Sequence, residues 1–337
     1  MVEEPKPERV YFLGAGASKA IYPGLPLAKD LTLRSLSEYD DANYRESAYT
    51  SLQKVCGLLG GSLASMASAP IEEVLSQAQL SGPDRTSIVQ CILYRLSLVG
   101  RGACPLLQAW LTQVRSKGHA IVTTNYDTVC ERNLRRFRDP SLVVRDGLEW
   151  LDYGISDDLC VKKQNGPTLW RKCESDKCLL LLKLHGAAGW SRCLNASCGR
   201  YMLNPVAAFA AAHAIEEPYW HWAACPDCKG DPWPVLVPPV KNKQYDDQAL
   251  QQVWNRAEQV LRSAREIVFA GYSLPPADNM VRSMLRNSLD SGSPQKVFVI
   301  DQRGTTVAEQ FMEIYGDLVC GGGSDWRAYL QEMLNQT

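Results

Sequence analysis

Five short apolar segments recur along the chain, and each is followed by glycine or by small polar residues. Their sequences are RVYFLGAG from Arg9, HAIVTTNYD from His119, LLLLKLHG from Leu179, EIVFAGYS from Glu266 and KVFVIDQ from Lys296. Nearly continuous apolar runs of this length are typical of strands that are buried on both faces of a parallel sheet. Because parallel neighbours need crossover connections, usually helical, the pattern predicts an α/β fold with a doubly wound, Rossmann-like sheet.

The segment between the last two strands has the periodicity of a helix. Its apolar residues include Met280, Met284 and Leu285, and the pattern ends at Gly292. Asp278 precedes this segment and is a candidate N-cap, because an aspartate there can accept hydrogen bonds from the first free N–H groups. The resulting order of strand, helix and strand is the one that a parallel sheet requires.

Two stretches interrupt this alternation. Residues 28–115 contain four segments with helical spacing, LAKDLTLRSL, PIEEVLSQAQL, SIVQCILYRLSLV and CPLLQAWLTQVRSKG, and predict an inserted helical module packed on the sheet. Residues 190–239 contain four cysteines and predict a small zinc-binding module. The Rossmann-like core of a single domain is then expected to comprise about residues 7–27, 116–189 and 240–337.

Composition narrows the class of protein. The chain has 337 residues, 45% hydrophobic and 22% charged, which are values of a globular protein and argue against disordered and fibrous classes. The net charge of the chain is -1, whereas proteins that bind a nucleic-acid backbone usually have an excess of basic residues. We therefore expect no direct nucleic-acid binding. The basic run from Arg132 to Arg138 is the best candidate for a local patch and is also compatible with a solvated helix face.

The polar N-terminus has no apolar stretch of a secretory signal, and no segment reaches the roughly 18 apolar residues of a membrane-spanning helix. We therefore expect a soluble cytoplasmic protein with no membrane association. In such a reducing compartment, the 12 cysteines are expected to be buried thiols or metal ligands rather than disulfides.

Four cysteines form two closely spaced pairs, as in zinc sites: Cys193, Cys198, Cys225 and Cys228. Two such pairs present four thiolates to a tetrahedral ion, so the spacing favours a structural zinc ion over free buried thiols. A site closed by four thiolates has no open position, so this zinc would hold the module together. Cys173 and Cys178 remain a second candidate pair, either as ligands or as a hairpin turn.

The residues after the five strands indicate a common binding site, because ligands of open α/β sheets bind outside the carboxyl ends of the strands. The turn Gly14-Ala15-Gly16 lets the backbone approach a ligand closely, and a phosphate is the usual ligand of such a turn. By itself this turn does not identify a dinucleotide site, since the third glycine of the dinucleotide fingerprint would fall at Lys19.

Several motifs, taken in order, resemble the sirtuin-like NAD-binding proteins. They are GAGAS at 14–18, GLP at 24–26, TTNYD at 123–127, LHG at 184–186, the paired cysteines and GYS at 271–273. Together they span nearly the whole chain. The resemblance implies a dinucleotide-binding sheet that carries a helical insertion and a zinc ribbon, with NAD as the bound nucleotide.

The positions where this sequence departs from the sirtuin pattern indicate one branch of the sirtuin-like proteins. Sirtuin deacylases continue from Gly-Ile-Pro to Asp-Phe-Arg, whereas GLP is followed here by Leu27, Ala28 and Lys29. The motifs TNYD and GYSLP, with Asp278 just beyond, resemble the divergent sirtuin-like proteins of bacterial anti-phage systems, which typically hydrolyse NAD. The resemblance thus implies an NAD hydrolase that releases nicotinamide and ADP-ribose and depletes NAD when a partner or oligomerisation activates it.

Two other functions stay open at this point. NAD-dependent protein-lysine deacylation would use the same asparagine and histidine, although the missing Asp-Phe-Arg argues against it. A non-catalytic nucleotide-binding assembly subunit would only bind at the site. The family analogy also implies a homo-oligomer, or a complex with an ATPase or an Argonaute-like partner.

Three residues receive catalytic roles in this hypothesis. Asn125 would orient the ribose hydroxyls or the attacking water, His185 would be the general base, and Asp127 would position the ribose or nicotinamide side. Each has a structural alternative: His185 as a hydrogen-bonded core residue, Asn125 as a turn cap, and Asp127 as a cap of the following helix. The predicted nucleotide-binding residues are Gly14, Ala15, Gly16 and Ser18 for the diphosphate, Ser273 and Asp301 for the adenosine half, and Thr124 and Gly271 beside them.

Overall fold

The computed structural model describes most of the chain. The described residues are 6–37, 50, 52–71, 73–74, 92, 96, 103–134, 150–162, 173, 178–203, 224–237, 247–276, 278–291 and 294–336.

Nine strands in the described part of the chain form two sheets. In chain order they are β1 (Arg9–Leu13), β2 (Ala120–Thr123), β3 (Leu151–Asp152), β4 (Leu179–Lys183), β5 (Gly186–Cys193), β6 (Tyr201–Leu203), β7 (Pro232–Leu236), β8 (Glu266–Ala270) and β9 (Lys296–Ile300). The larger sheet has the order β3-β4-β2-β1-β8-β9, and every neighbouring pair in it is parallel. The Rossmann-like parallel sheet is therefore confirmed, together with all five predicted strands.

The described helices lie between strands of the large sheet or after its last strand. They are α1 (Ala15–Ile21), α2 (Leu33–Ser37), α3 (Leu63–Met66), α4 (Pro105–Ser116), α5 (Val129–Leu134), α6 (Gln248–Ser263), α7 (Asn279–Asn287), α8 (Thr305–Tyr315) and α9 (Trp326–Asn335). Short 3-10 turns lie at Ala28–Asp30, Asp157–Leu159, Ser288–Ser291 and Gly316–Leu318, and residues 52–58 are helical. The helix α7 lies between β8 and β9, as the sequence predicts.

Both faces of the large sheet are covered because successive side chains of a strand point to opposite sides. Tyr11 of β1 packs edge-on against Trp110 of α4, with ring centroids 5.0 Å apart. Its neighbour Phe12 points the other way and contacts Phe269 of β8, which lies 4.2 Å from the ring of Phe311 in α8. The inner positions of the strands are thus buried on both sides, which is why those positions are apolar.

The smaller sheet is antiparallel, with the order β6-β5-β7. Its central strand begins at Gly186, directly after the strand-end residue His185 of the large sheet. The four paired cysteines lie at one end of this sheet.

Of the four predicted segments of the helical module, the last is confirmed as α4, and α2 confirms part of the first. The segments PIEEVLSQAQL and SIVQCILYRLSLV lie mostly outside the described residues, although residues 71, 73, 74, 92 and 96 are helical.

Three expectations need correction or addition. Cys173 and Cys178 form a disulfide, so the expectation that no cysteines are oxidised is wrong for this pair. Arg132 of the basic run is buried rather than solvated, and residues 135–138 lie outside the described part. The strand β3 was not predicted, because two residues are too few to show a pattern.

Within the described residues, no helix combines the length and apolarity needed to cross a membrane.

Candidate functional site

The site lies at the carboxyl edge of the large sheet. Since its strands are parallel, the segments that follow β1, β2, β4, β8 and β9 all leave the sheet at this edge. The predicted ligand-binding residues are on these five segments, so the topology brings them to one edge.

The glycine turn after β1 packs closely on the loop after β8. The N–H of Gly14 donates to the carbonyl oxygen of Ala270, and the N–H of Gly16 donates to that of Gly271; each hydrogen bond is 2.9 Å long. A Cβ on Gly14 would lie 2.4 Å from the carbonyl oxygen of Gly271. Gly271 has a φ of 58° and its own Cβ would lie 2.0 Å from the backbone nitrogen of Ala17. These glycines are therefore required by the contact between two loops, whatever ligand binds beside them.

This contact changes which groups of the turn are available to a phosphate. The N–H groups of Gly14 and Gly16, predicted to hold the diphosphate, donate within the protein instead. No acceptor for the N–H of Ala15 lies in the described part of the chain. The N–H of Ala15 and the hydroxyl of Ser18, one turn into α1, are donors that the turn can offer to an anion.

Asn125 connects the segment after β2 to this turn. Its Nδ2 donates to the carbonyl oxygen of Gly14 and to Oγ of Ser18, and each hydrogen bond is 3.0 Å long. Because a carbonyl oxygen only accepts, the amide nitrogen must face it, which leaves Oδ1 as the acceptor end of the side chain. Its bonding partners are more than 100 residues away, so the alternative of a local turn cap is wrong.

His185 lies at the end of β4 and is only 3% exposed. Its carbonyl oxygen accepts from the N–H of Val237, and its ring lies 6.0 Å from that of Tyr126, between centroids. The next residue, Gly186, has a φ of 76°, and a Cβ there would lie 2.2 Å from the carbonyl oxygen of Val235. The glycine of the LHG motif is thus required where the chain turns from the large sheet into the small one.

Asp127 has a structural role. Its Oδ1 accepts from the N–H of Val129 over 3.0 Å, so the predicted alternative, a cap on the start of the following helix, is confirmed. Its carbonyl oxygen accepts from Nζ of Lys183 over 2.6 Å. Thr124, also half-buried, donates its N–H to the carbonyl oxygen of Leu13.

The segments after β8 and β9 carry the residues predicted for the adenosine half. Ser273 is half-buried. Asp301 accepts from both the backbone N–H and Nε of Arg303, over 2.9 and 3.2 Å. A ligand that bonds to this carboxylate would share it with Arg303.

Asp278 begins α7 as predicted, but its carboxylate does not cap the helix. Oδ2 of Asp278 accepts from the hydroxyl of Tyr272 over 2.9 Å, and both side chains are buried. Leu274, between them, has a φ of 50°, and its carbonyl oxygen accepts from Nη2 of Arg282. A non-glycine residue rarely adopts this conformation, so the loop is held by its tertiary contacts.

Sequence reasoning missed a buried ion pair beneath the loop after β2. Lys183 of β4 and Glu131 of α5 are 2% and 1% exposed, and Nζ lies 3.2 Å from Oε1. The hydroxyl of Tyr153 also donates to this carboxylate oxygen. The one signal in the sequence is the lysine inside the apolar run LLLLKLHG.

The four paired cysteines converge. All four Sγ atoms lie within 4.8 Å of one another, with 3.4 Å between Cys193 and Cys228 and 3.7 Å between Cys198 and Cys225. Zn–S bonds of about 2.3 Å in a tetrahedron place sulfurs about 3.8 Å apart, so the arrangement fits a structural zinc ion. Two tight turns make this geometry. In the first, the N–H groups of Cys198 and Gly199 donate to the carbonyl oxygen of Asn195. In the second, Lys229 has a φ of 63°, and the N–H of Gly230 donates to Sγ of Cys228. That donation, together with hydrogen bonds to the other three cysteines, lowers the pKa of the Cys228 thiol to about 7, which favours the thiolate.

Comparison with known proteins gives structural likeness only. No family model matches the chain, and no curated protein matches it. A solved structure described as "The Structural basis of Sirtuin Substrate Affinity" has 13% identity and a TM-score of 0.48, and the match covers 97% of this chain and 93% of that one. Another, "Sir2 bound to acetylated peptide", has 12% identity and a TM-score of 0.45, with 97% and 92% covered. With TM-scores below 0.5, we conclude nothing about this chain from these likenesses.

Proposed function

We propose that this protein binds NAD at the carboxyl edge of the large sheet and hydrolyses the bond between nicotinamide and ribose. The observation that supports this most is the position of Asn125. Its amide is tied to Gly14 and Ser18 of the turn after β1, and the neighbouring strand β4 leads into the buried His185. An amide and an imidazole beside a glycine turn supply an orienting group and a base next to a phosphate-binding element.

The reaction assigns a task to each group. The glycosidic bond breaks, nicotinamide leaves with the bonding electrons, and positive charge develops on the ribose. Water then forms the new bond at that carbon and gives a proton to His185, whose ordinary pKa is near neutral. Oδ1 of Asn125 accepts from the ribose hydroxyl or from the water and keeps it in line with the reacting carbon.

The remaining residues would bind the rest of the nucleotide. The N–H of Ala15 and the hydroxyl of Ser18 hold the diphosphate, with Gly14 and Gly16 shaping the turn. The predicted role of Asp127 on the ribose or nicotinamide side, that of Ser273 and Asp301 beside the adenosine half, and nucleotide binding by Thr124 and Gly271 are part of the same proposal.

Water is proposed as the acceptor because the chain lacks the Asp-Phe-Arg that follows Gly-Ile-Pro in sirtuin deacylases. The biological role that accords with hydrolysis is NAD depletion in bacterial anti-phage defence. Because uncontrolled loss of NAD is toxic, we further propose that self-association or a partner such as an ATPase or an Argonaute-like protein activates the enzyme.

The test incubates each separated oligomeric form with NAD, with and without an acetyl-lysine peptide, and follows the products by chromatography. The expected products are nicotinamide and ADP-ribose without peptide, and their formation should be lost in His185→Ala and in Asn125→Ala. His119→Ala is the matched control, since His119 is also buried but lies at the opposite edge of the sheet.

Each of three other results would contradict a different part of this proposal. Products that appear only with peptide, including O-acetyl-ADP-ribose, would replace hydrolysis by deacylation. Tight NAD binding without turnover in every oligomeric form would favour the non-catalytic subunit. Equal loss of activity in His119→Ala and His185→Ala would remove the catalytic role of His185.

A further inference from the structure

Lys183 is a charged residue in a buried strand whose other residues are all leucines. It ends the strand LLLLK, and its side chain is 2% exposed. Burying an ammonium group is costly unless opposite charge and hydrogen bonds compensate for the lost water. Its partners therefore indicate what the residue does.

Two oxygens from different elements surround Nζ. Oε1 of Glu131 in α5 lies 3.2 Å away, and the carbonyl oxygen of Asp127 accepts over 2.6 Å. Oε1 of Glu131 also accepts from Tyr153. Burial raises the pKa of Tyr153 well above its ordinary value, so the phenol stays protonated and can donate. The ion pair is thus held at a defined position between β4, α5 and β3.

Stability alone gives a weak reason for this arrangement. Replacing a buried ion pair by uncharged residues of similar volume is often neutral or stabilising, because the cost of desolvation disappears. Oε2 of Glu131 is buried with no hydrogen-bond partner among the described residues, which adds to that cost.

The position of the contact suggests a different reason. Lys183 precedes His185 by two residues on β4, and Asp127 follows Asn125 by two residues in the loop after β2. Thr123 and Lys183 are paired across the two strands, so the loop and the histidine leave the sheet side by side. The bond from Nζ to the Asp127 carbonyl is a side-chain contact that joins the two segments.

We propose that Lys183 is a positioning residue, which holds the loop carrying Asn125 in register with His185. The inference rests on the proposed function for its kinetic consequence, whereas the structural link itself does not depend on it. Because the diphosphate donors are on α1 and not on the loop that Lys183 contacts, loss of Lys183 impairs the alignment of the reacting groups more than the binding of NAD.

The test compares three variants. Lys183→Met leaves a buried, uncompensated Glu131 and is expected to destabilise the protein. Lys183→Met combined with Glu131→Gln removes both charges and keeps an acceptor for Tyr153, so its melting temperature should return to near the wild-type value. Arg9→Met combined with Glu266→Gln is the matched control, since it removes an ion pair at the other edge of the sheet.

Two readouts are made on the double variants. We expect the Lys183/Glu131 variant to lower kcat at least about tenfold while KM for NAD changes by less than about threefold. We also expect faster hydrogen exchange at the N–H of Asn125 and at the N–H of Ala188, which donates to the carbonyl oxygen of Tyr126. The Arg9/Glu266 variant should change neither.

The outcomes separate the two proposals. Wild-type kcat and wild-type exchange in a stable Lys183/Glu131 variant would overturn the positioning role. If the wild-type protein does not cleave NAD in any form, the proposed function fails, and hydrogen exchange at these two amides alone decides whether Lys183 positions the loop.

Discussion

The side-chain amide of Asn125 donates to the hydroxyl of Ser18 over 3.0 Å, across 107 positions of sequence. The same nitrogen donates to the carbonyl oxygen of Gly14. One side chain therefore joins the loop after β2 to the turn after β1, and these two contacts fix its orientation.

The contacts of Asn125 with Gly14 and Ser18 can be tested through the free energy of unfolding. Asn125→Asp is expected to destabilise the protein by about 2 kcal/mol, because a carboxylate cannot donate to the Gly14 carbonyl and places a buried negative charge beside that oxygen. Ser18→Ala is the control, since it removes one partner only and should cost about 1 kcal/mol. The free energy of unfolding is measured in urea at neutral pH. Equal costs for the two variants would contradict the geometry.

The glycine turn offers a second test. Gly14→Ala is expected to cost about 3 kcal/mol or more, because the new Cβ would meet the backbone of Gly271 and Tyr272, which a side-chain rotation cannot relieve. Gly57→Ala is the matched control: residue 57 is helical and nothing lies within 4 Å of the added Cβ. That substitution should stabilise the protein by about 0.5 kcal/mol. Urea unfolding of the two variants should therefore give shifts of opposite sign.

Stability should also depend on pH through His119. Burial, with the nearby charge of Arg9 acting in the same direction, lowers the pKa of His119 to about 4. The unfolded chain binds the proton near pH 6.5, so stability is full above that pH and is lost as pH falls toward 4, by up to about 3 kcal/mol.

His119→Phe checks this effect. The variant cannot bind the proton in either state, so its unfolding free energy should fall less than that of the wild-type protein between pH 7 and pH 5. Parallel curves for the two proteins would show that His119 does not carry the pH dependence.

Metal content provides a fourth prediction. The purified protein should hold one zinc ion per chain, and a strong chelator should lower its melting temperature, because a structural zinc contributes folding free energy directly. Cys228→Ser should lose the ion. Cys320→Ser is the control, since Cys320 is exposed and lies outside the cluster. Retention of stoichiometric zinc in Cys228→Ser would contradict the four-thiolate site.

Local pattern was enough to predict much of the molecule. Burial on both faces makes the inner positions of a parallel strand apolar, so all five strands could be predicted from the pattern of apolar residues along the chain. Cysteine spacing likewise indicates a metal site, because short turns bring each pair together wherever the two pairs meet. Parallel strands then place Asn125 and His185 at one edge of the sheet without further information.

Tertiary structure decided which atoms are partners. The N–H groups of Gly14 and Gly16 bond to the loop after β8, Asp278 accepts from Tyr272 instead of capping its helix, and Lys183 finds Glu131. A pattern of residue types reports whether a position is apolar, polar or flexible, and that preference is local. The partner of a buried polar group depends on which distant segment the packed core brings within 3 Å, and only the folded chain determines that.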